Sequence, residues 1–274
     1  MNDPELYERA HYFQVRDARL ILQVYGQAMQ ETMDTDIVLD IGCGTGDVTR
    51  DIILPHCRQA RYLVATDSSN SMIQFARNKS FHENICYEVF DISKNVYNFK
   101  SKWGSFSKIY SFYCLHWVKN LKTAVENISS LLITGGECLL AFVAQCPVFE
   151  MHEHLAQMDK WKSFMQDVHQ YLPDTHRNTQ PAFLFSSYLM DSGLEVVMCD
   201  LVSMSFTFPN TEVIKESLDA ISPFTKHLPD DMKQDYTEDC LRFLQTHART
   251  EVDNNDNEGI QFSYKLIVAH ARKV

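Results

Sequence analysis

"DIVLDIGCGTGDVTR", residues 36–50, decides how the whole chain is read. Ile37 to Ile41 form a short apolar run with the spacing of a buried strand. Gly42, Gly44 and Gly46 follow as G-x-G-x-G, and the next stretch, "TGDVTRDIILPHC", reads as a helix. A strand that passes through glycines into a helix lets the backbone turn sharply and approach a ligand with no Cβ in between. The following strand, "RYLVATD", ends in Asp67, 21 residues beyond Gly46. An acid at that point is set to accept both hydroxyls of a ribose. A glycine turn with an exposed acid is the bland alternative, and the strand context argues against it.

Working outward, the alternation continues. "SNSMIQFARNK" is a helix, "NICYEVFD" and "SKIYSFYC" are strands three and four, and "NLKTAVENISSLLITGG" is a helix stopped by Gly135-Gly136 before strand five, "ECLLAFVA". Apolar strands alternating with helices imply an α/β, doubly wound, mostly parallel sheet covered on both faces. Beyond Gln145 the pattern changes. "FEMHEHLAQMDKWKSFMQDVHQYL" reads as helical, "SSYLMDSG" as a helix closed by Gly193, and "LEVVMCDLVSMSFTF" as a long strand. Two helices separated by "SPFTKHLPDD" fill 209–248; the acidic "EVDNNDNEG" reads as a loop and "IQFSYKLIVAHA" as a last strand. The expected organisation is an N-terminal helical segment over 1–35 that closes over the ligand site and a nucleotide-binding core over 36–145. A helical cap insertion over 146–192 follows, and 193–274 returns to the sheet around the helical insertion 209–248.

The 274 residues are 45% hydrophobic and 22% charged, enough apolar surface for a large core. A formal charge of −11 and a pI near 5.4 exclude a nucleic-acid backbone as partner, which needs a basic face. No apolar run approaches the roughly 20 residues that span a bilayer. The eight cysteines show no C-x-x-C pair, so a zinc site is not expected, and free thiols in the cytoplasm are.

The identity of the nucleotide follows from charge. The pyrophosphate-binding fingerprint places its third glycine one position later, and here Asp40 and Asp47 flank the loop. Negative charge is unfavourable beside a diphosphate and favourable beside a sulfonium and an ammonium, both carried by S-adenosylmethionine. Asp91, ending "YEVFD", is placed to accept from an adenine amine. "VLDIGCGTG", Asp67 and "FDI" together resemble the class I methyltransferase pattern over residues 36–143. That resemblance implies a Rossmann-like sheet with an antiparallel last strand. It implies a cofactor site of Asp40, Gly42, Gly44, Gly46, Asp67, Ser68, Met72, Asp91, Ile92 and Phe112, with S-adenosylhomocysteine as product.

In such a fold the residues after strand four face the methyl donor, and here they are His116 and Trp117 in "CLHWVKN". With "LYERAHYFQVRDA", "FVAQCPVFEMHEHLAQMDKW" and "SMSFTFPNTEVIKESLDAISPF", the chain resembles the insect juvenile hormone acid O-methyltransferase family nearly end to end. "LHW" is also similar to plant carboxyl methyltransferases. The resemblance implies that Gln14 and Trp117 hold a substrate carboxylate, with His116 a third donor or part of the cofactor lining. It also implies an isoprenoid acid, juvenile hormone acid or farnesoic acid, as substrate. Met151, Trp161 and Phe224 are then candidates for its pocket. A carboxylate already ionised at neutral pH needs placement rather than a base or a metal. Two alternatives stand beside this: methylation of another small acid such as a fatty acid, and a donor-binding partner protein without catalysis. A homodimer through an apolar patch on the cap is a further expectation.

Overall fold

The computed structural model describes residues 3–252 and 258–274. Two helices lead, α1 (Pro4–Ala10) and α2 (Tyr12–Tyr25). Asp3 caps the first by accepting from the Leu6 N–H at 3.0 Å. Strand β1 (Ile37–Ile41) is followed by a π-helical turn over Thr49–Ile53 that runs into α3 (Leu54–His56). The widening has a cause: Pro55 has no N–H to give, and Leu54 N reaches back five residues to Thr49 O. Next come β2 (Tyr62–Asp67), α4 (Asn70–Lys79), β3 (Ile85–Val89), α5 (Tyr97–Trp103), β4 (Phe106–Phe112), α6 (Leu121–Leu131) and β5 (Leu132–Gln145).

The sequence pattern carries the helix after β4 on to Gly135-Gly136, but α6 stops at Leu131. The β-branched Ile133 and Thr134 belong to β5, and Gly135, at φ +78°, accommodates the register shift opposite Phe106 and Lys108. In the cap the expected long helix is also shorter. Only α7 (Pro147–Leu155) is α-helical, and Val168–Tyr171 is a 3₁₀ turn. Between them the backbone closes i→i+3 bonds, Leu155 to Met158, Met158 to Trp161 and Trp161 to Phe164. This tighter winding turns Trp161 and Met165 into the interior of the cap.

The chain then forms α8 (Pro181–Asp191), β6 (Leu194–Phe208), α9 (Thr211–Ile221), α10 (Asp230–Gln245), β7 (Arg249–Val252) and β8 (Glu258–Lys273). Strand therefore occupies both ends of the acidic stretch read as a loop, and residues 253–257 lie outside the described ones. The sheet order is β3-β2-β1-β4-β5-β8-β6, with β7 paired to β8. The first five strands are parallel, and β8 runs antiparallel between β5 and β6. Val38, Leu63 and Leu139 face one core layer; Leu39, Val64 and Leu140 face the other. A third cluster, around Trp161, Phe224 and Tyr236, holds the cap together. All eight cysteines are free thiols. Among the described residues no helix is long and apolar enough to cross a membrane.

Candidate active site

The carboxyl ends of β1, β2 and β4 meet under the glycine loop. Gly42, Gly44 and Gly46 have φ of +81°, +54° and +81°. A Cβ on Gly42 would lie 2.3 Å from Cys114 Cβ, and one on Gly46 would lie 2.8 Å from the Tyr87 ring. Neither position admits a side chain. The loop is pinned from β2, where Thr66 O accepts from Gly42 N at 2.7 Å and Cys43 N at 2.8 Å. Asp67 accepts from Gly44 N at 3.1 Å and Ser69 N at 2.8 Å. The cleft above, about 840 Å³, is lined by Gly42, Gly44, Asp67, Ser68, Met72 and Cys114 among others.

Asp40 is buried under the same loop, and its carboxyl accepts from Thr49 Oγ1 at 2.6 Å. Burial pushes its carboxyl up to about 7, against the Thr49 bond and with help from Asp67. It borders a small cavity shared with His11, Gln14, Gly42 and Phe112. A carboxylate this poorly solvated fits a cationic ligand group, such as the ammonium of the expected donor. Asp47 behaves differently from its expected role beside the ligand, because His11 Nε2 lies 2.8 Å from it and Thr45 Oγ1 donates at 2.6 Å. Its charge is met inside the protein. Asp91 accepts from Ser93 N at 2.9 Å and Ser93 Oγ at 2.7 Å, and Ile92 packs into the core; neither lines the cleft.

Tyr113, the residue just past β4, has φ +55° and is the one non-glycine residue with positive φ among those described. Such a conformation is strained and needs outside support. Asp17 supplies it: its Oδ2 accepts from the hydroxyls of Tyr113 and Tyr264, each at 2.5 Å, and its Oδ1 pairs with Arg16 at 2.7 Å. The chain then makes a 3₁₀ turn over Leu115–Trp117. His116 is buried, its Nδ1 has no partner among the described residues, and burial pulls its pKa down to about 3, so the ring is neutral. Gln14 lies one turn before Asp17 on α2 and is buried with an unpartnered Oε1.

An apolar pocket opens beside this turn, lined by Phe13, Phe149, Phe206, Phe208, Leu218 and Ile221, with Gln14, His116 and Trp117 also on its wall. Tyr7, Tyr113 and Trp117 line both this pocket and the glycine-loop cleft. The structure thus brings Gln14, His116 and Trp117 together on the apolar pocket, and Trp117 reaches the cleft as well. It does not bring the expected cap residues there. Trp161 donates from Nε1 to Asp239 at 2.9 Å and stands edge-on to Tyr236, Phe224 meets Tyr171 and His152 edge-on, and Met151 borders a separate small cavity. A Trp with a buried carboxylate acceptor holds the cap together.

The sequence reading missed Tyr7, His11, Asp17, Tyr113 and Phe206. Three signals pointed to all but Tyr113: the i,i+4 pair Tyr7 and His11, the i,i+3 pair Gln14 and Asp17, and the i,i+2 alternation of Phe206 and Phe208. Tyr7 and His11 stack at 4.8 Å, and His11 Nδ1 reaches Tyr7 O at 2.7 Å.

Comparison with known proteins agrees with this layout. Residues 38–136 match the family described as "Methyltransferase domain". The YcgJ protein of Bacillus subtilis superposes with a TM-score of 0.57 at 16% identity, covering 96% of this chain and 99% of the other. Phosphoethanolamine N-methyltransferase 2 of Haemonchus contortus, solved with S-adenosyl-L-methionine, gives a TM-score of 0.53 at 16% identity, over 94% of this chain and 52% of that one. Fold and cleft define a class I methyltransferase, an enzyme class whose methyl donor is S-adenosylmethionine. The chain is 36% identical to juvenile hormone acid O-methyltransferase of Drosophila melanogaster over 100% of its own length and 93% of the relative's. Its identity to the Bombyx mori protein of the same name is 28%, over 100% and 98%. It belongs to the juvenile hormone acid O-methyltransferase family. As an enzyme of that family it is no longer read as a non-catalytic donor-binding protein.

Proposed function

We propose that this enzyme transfers the methyl group of S-adenosylmethionine to the carboxylate of juvenile hormone acid or farnesoic acid, giving the methyl ester. The observation that carries the reading is that Gln14 and Trp117 line one apolar pocket, with Trp117 also lining the polar cleft. The Trp117 indole makes no hydrogen bond to the protein among the described residues, and the buried Gln14 amide has an unpartnered end. An amide turned by half a rotation about Cγ–Cδ offers N–H₂ in place of oxygen, so both groups are neutral donors toward one anion. Neutral donors orient a carboxylate oxygen without the strong pairing that an arginine would impose.

The donor supplies an electrophilic methyl group on a sulfonium. The protein contributes placement, which is worth about 7–11 kcal/mol when the reacting groups are held in line. His116, neutral and with a vacant Nδ1, is a third group able to donate to the same anion. Phe13, Phe206 and Phe208 exclude water from the hydrocarbon chain. Assay with labelled donor and a panel of acids tests the substrate class. Farnesoic acid and its epoxide should be preferred, and a short dicarboxylate or a fatty acid turned over faster would overturn that choice. Trp117→Ala should lose at least about 100-fold in kcat, equivalent to one transition-state contact of about 2.7 kcal/mol. Donor binding by calorimetry should stay within about threefold. Near-normal turnover in that variant would remove the carboxylate-holding role.

A further inference from the structure

Beside the apolar pocket lies a much smaller cavity of about 10 Å³ between α7, α9 and α10. Val148, Leu218 and Ile221 line both spaces. Toward the glycine-loop cleft its wall is mostly polar: Asp219, Ser222 and Thr237 border both along with Ile221, and the Thr237 hydroxyl donates to Asp219 at 2.7 Å. Val148 and Leu218 therefore form an aliphatic wall shared with the pocket for the hydrocarbon chain and not with the cleft.

Two polar side chains from different helices line this cavity, His152 of α7 and Tyr236 of α10, each 1% exposed. The His152 Nδ1 and the Tyr236 hydroxyl have no hydrogen-bond partner among the described residues. Ser222 and Cys240 lie close to Tyr236 on the same cavity, yet no bond to either closes at hydrogen-bonding geometry. A buried polar group left unpaired costs about 1–3 kcal/mol. Two such groups on one cavity with room for a single oxygen call for an occupant that satisfies both.

The geometry points to a polar subsite in the cap at which His152 and Tyr236 bind one oxygen carried by the hydrocarbon chain of the acid, of epoxide, ether or hydroxyl type. This rests on the carboxyl-methylation reading above and narrows its substrate class to acids with an oxygenated chain. An epoxide or ether oxygen only accepts, so it takes the Tyr236 O–H and the N–H of the His152 tautomer protonated at Nδ1. Burial lowers the His152 pKa to about 4, which keeps the ring neutral and suited to an uncharged oxygen.

The test compares two isoprenoid acids of equal length, one with a chain epoxide and one without, in the full-length enzyme with S-adenosylhomocysteine present. Dissociation constants are read by calorimetry and kcat/KM separately. The wild type should bind the epoxide acid at least tenfold more tightly. Tyr236→Phe and His152→Leu should each lose about tenfold on that acid and less than twofold on the plain acid. Equal affinity for the two acids in the wild type, or variants that weaken both alike, would show that the cavity holds a water only and would sink the subsite. Because affinity is the readout, absence of turnover on both acids would fell the carboxyl-methylation reading and leave the subsite to be judged on binding. Thermal melts check folding. If His152→Leu fails to fold, His152→Gln serves in its place, with the same selective loss expected.

Discussion

Asp40 carries its consequence in its titration. Burial raises its pKa from 3.8 to about 7, so below neutrality the free enzyme holds a proton there. A carboxyl raised in this way contributes stability that is fully present below its ordinary pKa of 3.8. That stability is lost as pH rises through about 7. The binding of a cationic donor group has the opposite sign, because it needs the ionised form. Donor affinity should therefore climb between about pH 6 and pH 8 and then level, and Asp40→Asn should be weaker throughout and flat over that range. Calorimetry at a series of pH values reads it directly, and a parallel slope in the variant would move the effect elsewhere. At this scale much of the site was legible: glycines at fixed offsets, Asp67 at a strand end and the His116-Trp117 pair each carry meaning in the text itself. Asp47 and the cap's Trp161 were not, because their role depends on partners that only the fold brings near, His11 and Asp239.

Helix α2 shows how an element is set by one buried carboxylate. Asp17 holds Tyr113 at the end of β4 and Tyr264 of β8 at once, and Gln14 rides on the same turn of helix. Asp17→Ala would strand two buried hydroxyls and should cost about 3 kcal/mol, seen as a lower denaturant midpoint. Tyr113→Phe removes one bond only and should cost about 1 kcal/mol. The glycine loop makes a sharper case: Gly42→Ala drives a Cβ into Cys114 and strains a φ of +81°, so donor binding should be lost. Cys114→Ala removes the Sγ contact at 2.4 Å but leaves the Cβ approach of 2.3 Å and the strained dihedral, so the double variant should recover little of the lost stability. Strands β1 to β5 announced themselves by apolar runs. The end of α6 and the cap after Leu155 did not, since Leu132 is drawn into a ladder with β4 and Trp161 into a core that local pattern does not reveal.

For the whole molecule, the N-terminal segment decides whether the site is complete. Tyr7 lines the cleft, the apolar pocket and the small cavity at Asp40, and the His11–Asp47 pair holds it against the loop. Burial lowers the His11 pKa, and Asp47 more than restores it, for a net rise. This pairing is present at low pH and is lost as pH climbs through the raised value. Removal of residues 1–11 should leave the sheet folded by circular dichroism but weaken donor binding at least about tenfold, roughly 1.4 kcal/mol. His11→Ala should do part of that.

Tyr7, Tyr113 and Trp117 are common walls of the cleft and the apolar pocket, so a shift of any of them on filling one space reshapes the other. The two occupancies are then thermodynamically linked. Whatever factor the adenosyl ligand applies to the affinity of the acid, the acid must return to the adenosyl ligand in equal measure.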